Sequence, residues 1–283
     1  MNNLTFTETK DLKFKHDGTG VHAFLKGKKT IFNFSMSLPP EQPLSDDKQR
    51  EFLKEILAAQ SIIKRLPAHD LANFNVLPNK IVDNDFTPFY KYTSEYIYKN
   101  KLLKGSWQLG CIEQYRTIEN IKQRDEFEGQ CFVNMNVNGY GLTSLACTGF
   151  NYLIFCGTRK KASDLHRESF GTKELYFPNV RSFADAVKKS IGAKKYYVQN
   201  VEYSSSKWIN VDDAIEDELV NVNDMLCSRY IELVNKYSLY PSLFVKPEPF
   251  AGEEEVRIVF EMDKDYYKPL RFENRGLLSY VRH

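Results

Sequence analysis

Over the first forty residues, apolar and polar positions alternate with a period close to two. The segments DLKFKH and HAFLKGKKTIFNFSM, around the turn residues DGTG, predict a pair of β-strands joined by a turn. The period then changes. After SLPPEQPLSDDK, residues Phe52, Ile56, Leu57, Ile62 and Ile63 roughly keep helical spacing. Ser45 suits the N-cap of that helix, Asp46 and Asp47 suit its positive end, and Pro67 stops it. The polar stretch LPNKIVDNDFTP follows neither period and predicts a boundary. It separates an N-terminal strand-and-helix subdomain, 1–82, from a main domain, 83–283.

In the second part the two periods alternate. FYKYT and SWQLGCI predict strands flanking a helix over SEYIYKNKLLKG, with Gly105 as the left-handed residue past its end. Residues 113–131 are polar and irregular. The continuous apolar run YLIFCGT predicts a buried strand. KELYFP, VRSFADAVKKSIG and KKYYVQNVEY read as strand, helix and strand, the helix capped by Ser182 and ended by Gly192. From Asn210 to about Lys236, residues Ile215, Leu219, Val222, Leu226, Ile231 and Val234 form the stripe of a long amphipathic helix. EEVRIVFEM closes as a strand, with Val256, Ile258 and Phe260 on one face and Glu255, Arg257 and Val259 on the other. The order lacks a strict β-α-β rhythm, and no glycine-rich phosphate loop joins a strand to a helix. The pattern therefore predicts an α+β fold with a mixed or antiparallel sheet and flanking helices.

Composition narrows function more than fold. Against 39 basic residues stand 37 acidic ones, a net charge of +2 that argues against a dense nucleic-acid footprint. No apolar run approaches the ~20 residues of a spanning helix. The opening MNNLTFTETKDLKF has no basic start followed by an apolar block, so no membrane association and a cytoplasmic location are expected. Five widely spaced cysteines without CxxC or a His/Cys cluster predict buried free thiols rather than zinc or disulfides. The 17 tyrosines gather in FYKYTSEYIY and KKYYVQNVEY, which suits half-buried strands or a stacking surface for a heteroaromatic ring.

Three clusters carry candidate chemistry. Glu253, Glu254 and Glu255 open the last strand, which would set Glu253 and Glu255 on one face, where burial raises the pKa of at least one. The plainer reading is a solvated strand start with Arg257 pairing Glu255. In YRTIENIKQRDEFEG, residues Glu119, Asp125 and Glu128 offer oxygen ligands for a divalent ion. Its plainer reading is an exposed segment with Arg124 and Glu128 paired. In FYKYT, Tyr90 and Tyr92 share one side and Lys91 takes the other, a core tyrosine pair with an edge lysine, while Thr93 or Ser94 caps the next helix. His166, in a polar loop, is expected to be exposed.

The order YKYT, helix, LLKG, strand, YRTIE, RDEFEG, then YLIFCGT and FAGEEEVRIVF, spans roughly residues 86–262. It resembles a poorly characterised group of bacterial proteins with a Tyr-Arg…Glu…Asp…Glu-Gly block and a closing Glu-x-Glu-x-Arg strand. That layout in turn is similar to the ADP-ribosyltransferase fold, as in DarT-like toxins and poly(ADP-ribose) polymerases. The resemblance implies NAD as substrate and transfer of ADP-ribose to water or to a macromolecule, nucleic acid or protein. A toxin or phage-defence setting goes with it. It also implies Glu255 as the catalytic carboxylate with Glu253 assisting, and Tyr90, Lys91, Tyr92 and Thr93 on the nicotinamide side. Arg116 would meet the pyrophosphate. Lys91 stands where the pattern has histidine or arginine, and it lacks a flat two-nitrogen ring. Two other readings are open: a metal-dependent nuclease or phosphoesterase using Glu119, Asp125 and Glu128, and a binding module without catalysis.

Overall fold

The computed structural model describes strands at 12–16, 21–26 and 30–36, then residues 88–118, 125, 128–137, 140–161, 164–204, 207–211 and 228–282. In chain order the first strands are β1 (Leu12–His16), β2 (Val21–Lys26), β3 (Thr30–Met36), β4 (Tyr90–Thr93) and β5 (Ser106–Leu109). Next come β6 (Gln130–Val137), β7 (Tyr140–Cys147), β8 (Tyr152–Thr158), β9 (Lys173–Tyr176) and β10 (Lys195–Asn200). The last are β11 (Glu202–Ser204), β12 (Trp208–Val211), β13 (Val245–Pro247), β14 (Glu255–Glu261) and β15 (Leu270–Glu273). The described helices are α1 (Glu95–Asn100), α2 (Ile112–Thr117), α3 (Asp164–Phe170), α4 (Val180–Ile191) and α5 (Ser228–Phe244). The fold class is α+β. The expected helix after Ser45 and the expected boundary near residue 82 lie outside the described residues.

Two compact units are each assembled from three stretches of chain. One takes residues 1–76, 129–148 and 205–242, the other 77–128, 149–204 and 243–283. The first holds a six-stranded sheet in the order β1-β2-β3-β7-β6-β12. Its β3–β7 and β12–β6 pairs are parallel and the others antiparallel. The start of the long helix expected from Asn210 is corrected here, its stretch 212–227 lies outside the described residues, and Ile231 and Val234 fall in a helix as expected. Trp208, Ile209 and Val211 are aromatic or β-branched, and Trp208–Val211 find a parallel partner in Phe132–Met135, while the described helix runs from Ser228 to Phe244.

The second unit is built on a five-stranded antiparallel sheet, β10-β14-β8-β4-β9. Its apolar face follows from the alternation of β14: Val256, Ile258 and Phe260 join a core with Phe89, Trp107, Phe155 and Phe183. The helix α4 covers that core with Val180, Phe183, Ala184 and Val187, a helical stripe. Asn179 caps it, accepting from the Ser182 amide at 2.9 Å, and Gly192 ends it at φ 69°, so the cap lies three residues earlier than expected. At α1, Ser94 accepts from the Ile97 amide at 3.2 Å. A short 3₁₀ turn then leads to Gly105 at φ 85°, where a Cβ would press on the Arg275 backbone at 2.8 Å. Of the stretch 113–131 expected to be irregular, 113–117 belong to α2 and 130–131 open β6, while 119–124, 126 and 127 lie outside the described residues.

Strand β8 is the hinge of the site. On one side it pairs with β14 along seven residues, from Glu255↔Thr158 to Glu261↔Tyr152. On the other it pairs with β4 at Tyr90↔Thr158 alone. Beyond that residue β4 leaves β8 and pairs with β9 through Thr93↔Lys173. Tyr90 and Glu255, far apart in sequence, thus flank the same threonine.

Candidate functional site

A cavity of about 560 Å³ is lined by Tyr90–Thr93 of β4, Ile154–Thr158 of β8, and Glu255 and Arg257 of β14. It lies where β4 and β8 part. Its apolar wall includes Trp107 and Phe155, and its charged wall includes Lys246, Glu253 and Glu128. Glu128, Glu253, Glu255, Lys246 and Arg257 answer one another there, and the order of those neighbours sets the chemistry.

Glu255 is 6% exposed and Arg257 1%, so the expected solvated strand start is corrected: alternation along β14 carries both inward. The predicted Glu255–Arg257 pairing is present, with Nε donating to Oε1 at 2.7 Å. Lys246, on β13, donates to Glu255 Oε2 at 3.1 Å and to Glu253 Oε2 at 2.7 Å. Arg257 spends both terminal nitrogens on Glu128, Nη2 donating at 3.1 Å and Nη1 also reaching the Leu243 carbonyl at 2.6 Å.

This arrangement drives the two carboxylates apart. Burial alone pushes Glu255 up, but Arg257 and Lys246 outweigh it and hold the group well below the ordinary carboxylate range. At Glu253 burial, joined by the Glu255 charge, outweighs the Lys246 ammonium and leaves the carboxyl raised. The backbone explains how they come to share a lysine. Glu253 ends a 3₁₀ turn and Glu254 takes the left-handed conformation, φ 44°, with its side chain on Lys160 at 2.8 Å. The expectation that one strand face presents both glutamates is therefore corrected, since β14 starts only at Glu255.

Lys91 is no edge lysine. Its Nζ donates to the Cys156 carbonyl at 2.8 Å and lies 4.4 Å from the centre of the Phe155 ring. Burial holds its pKa below the ordinary lysine value. Tyr92 donates to Glu174 Oε2 at 3.0 Å, its ring 5.5 Å from that of His166, and Tyr90 packs on Tyr176 at 5.2 Å. Thr93 is buried beside them. Of the two possible caps for α1, Ser94 serves.

Several residues join the site that the sequence left aside. Lys246 bridges the two glutamates. Burial, joined by the nearby Glu255 charge, pushes the Cys156 thiol up to about 12. The Tyr115 hydroxyl meets Cys156 Sγ at 3.3 Å, an approach possible because Gly110 has no Cβ to strike it. His166 corrects the expected exposure: it is 1% exposed, with Nε2 2.9 Å from the Glu253 carbonyl. A helix packed on that turn, α3, places it.

Arg116 does not line the cavity; Nη1 lies 4.0 Å from Glu113, and its neighbour Tyr115 faces the site instead. Asp125 is 2% exposed, outside the lining, and its amide donates to the Tyr115 carbonyl at 3.2 Å. Glu119 and Arg124 lie outside the described residues. Glu128 reaches the cavity with both oxygens on Arg257, so the expected exposed Arg124–Glu128 segment is corrected at Glu128, which is buried. Among the described residues no group of three or more His, Cys, Asp or Glu side chains is placed to hold a metal ion. Free thiols are present at Cys111, Cys131 and Cys156. Among the described residues no helix is long and apolar enough to cross a membrane.

Compared with protein-family models, with curated proteins and with solved structures, the chain has no match in any of the three.

Proposed function

We propose that this cavity binds a dinucleotide of the NAD type and transfers its ADP-ribosyl group to an acceptor, with Glu255 as the catalytic carboxylate. The observation that carries the reading is the convergence of two distant strands on Thr158: Tyr90–Thr93 and Glu255 line one cavity across β8. Its volume of about 560 Å³ falls within the ~300–1,000 Å³ of small-molecule sites.

The chemistry follows from the split between the carboxylates. Breaking the bond between ribose and the pyridine ring builds positive charge on the sugar. Glu255, kept ionised by Arg257 and Lys246, stabilises that charge from a strand that cannot relax away. Glu253 holds a raised carboxyl one ammonium away and serves to hold and pass the acceptor's proton. Tyr90 and Tyr92 supply aromatic surface for the leaving ring. The acceptor is water or a macromolecule.

The test is thermal unfolding of the full chain with and without NAD, with free nicotinamide measured in the same samples. Wild type is expected to be stabilised and to release nicotinamide. Glu255→Gln, close in size and checked for folding by circular dichroism, is expected to lose roughly a hundredfold in release rate. Release that is equal in the two proteins, or absent from both at excess NAD, contradicts the reading.

A further inference from the structure

Among the cations that line the cavity, Lys91, Lys101 and Arg271 form no ion pair with a described residue, and of these three only Lys91 is not exposed. Arg257 has Glu128 and Glu255, and Lys246 has Glu253 and Glu255. Lys91 has a backbone carbonyl and the face of Phe155, and no carboxylate of a described residue forms an ion pair with it. Its ammonium has three donors. One is used.

A partly desolvated ammonium facing a carbonyl and an aromatic ring gains when an anion joins it. Lys91 lines the cavity beside Tyr90 and Tyr92, with β8 between its strand and that of Glu255, so the missing anion belongs to whatever ring occupies that end. A carboxamide answers poorly, since it offers one accepting oxygen and an NH₂ that competes with the lysine for acceptors. A carboxylate offers two oxygens and the charge.

We infer that the cavity prefers a pyridine base bearing a carboxylate, so that the deamidated form of NAD is taken in preference to NAD. This inference rests on the reading of Glu255 as the residue that opens the glycosidic bond. In that step the bond between the anomeric carbon and the ring nitrogen breaks, and its electron pair stays on the nitrogen. The ring leaves as nicotinate, the oxygen of water or of an acceptor hydroxyl bonds to the anomeric carbon, and that oxygen's proton is released. The depressed Lys91 pKa agrees, because an anion beside the ammonium would reverse the effect of burial.

The experiment uses the full chain. Calorimetric titration compares nicotinate with nicotinamide, and chromatography follows base release from NAD and from its deamidated form. Nicotinate is expected to bind roughly tenfold more tightly than nicotinamide, and the deamidated dinucleotide to be cleaved with a kcat/KM higher by a similar factor, the gain from a charge-assisted pair. Lys91→Gln is expected to lose the preference, and Lys91→Arg, which keeps the charge, to retain most of it.

Equal binding of the two bases by wild type, or a preference that survives in Lys91→Gln, overturns the inference. The two levels separate cleanly. If NAD is cleaved and nicotinamide preferred, the assignment of Lys91 falls and the transfer reading stands. If nicotinate binds through Lys91 and neither dinucleotide is cleaved, transfer falls and the anion site stands. If none of the four compounds binds, both fall.

Discussion

Five charged side chains around β14 depend on one another, so removing one strands the next. Glu128 answers Arg257, which is 1% exposed and also holds Glu255. Glu128→Gln should cost about 3 kcal/mol in denaturant unfolding, the low end expected when a buried ion loses its partner, because Glu255 and the Leu243 carbonyl remain. A change within ~0.5 kcal/mol, usual for surface sites, would mean the network does not form. The sign of the pH effect follows from Glu255. Its pKa in the folded state lies below the ordinary 4.5, so the unfolded chain binds protons first as pH falls. The stability Glu255 supplies is whole above about 4.5 and drains away below it. Acid titration of Glu255→Gln should therefore show a shallower loss of stability under that pH than wild type, and an unchanged slope would refute the buried pairing. Glu254 offers a backbone test. A β-branched residue resists φ 44°, so Glu254→Val should destabilise by about 1–3 kcal/mol, whereas Glu254→Gly should be close to neutral.

Elements divide by how local their causes are. Alternation in EEVRIVFE places Arg257 opposite Cys156 and Val259 opposite Ile154 once β8 is its partner, so both faces of β14 were legible. YLIFCGT was legible as buried, and Gly105 and Gly192 as helix ends, since those signals lie within a few residues. Lys246 was not legible. It sits in a three-residue strand whose parallel partner is Glu202–Ser204, and nothing near VKPE announces that pairing. His166 was misjudged for a similar reason: its own segment is polar, and its burial comes from Tyr92, Phe170 and the turn at Glu253. Arg116 was a near miss of one position, because α2 turns Tyr115 rather than Arg116 toward the site. The acidic block before Gly129 read as ligands or surface because the sequence does not show that Arg257 will meet Glu128.

At the scale of the molecule, the chain passes repeatedly between its two units. The sheet of the first unit pairs β7, from its middle stretch, with β3, from its first, over Thr30–Ser35. A chain shortened to 83–283 therefore keeps β6, β7 and β12 but loses the neighbour of β7. Its bare edge is expected to drive association, seen as larger species than the full chain in size-exclusion chromatography; a monodisperse product of the size of one chain would contradict the pairing. The site, by contrast, is drawn wholly from the other unit. Hydrogen exchange of the full chain with and without the deamidated dinucleotide, read peptide by peptide, tests that placement directly. Slower exchange confined to the peptides carrying Tyr90–Lys101 and Lys246–Arg257 is the expected result. Unchanged exchange there, or protection only in β1–β3 and β6–β7, would contradict the assignment of this cavity as the place where the ligand binds.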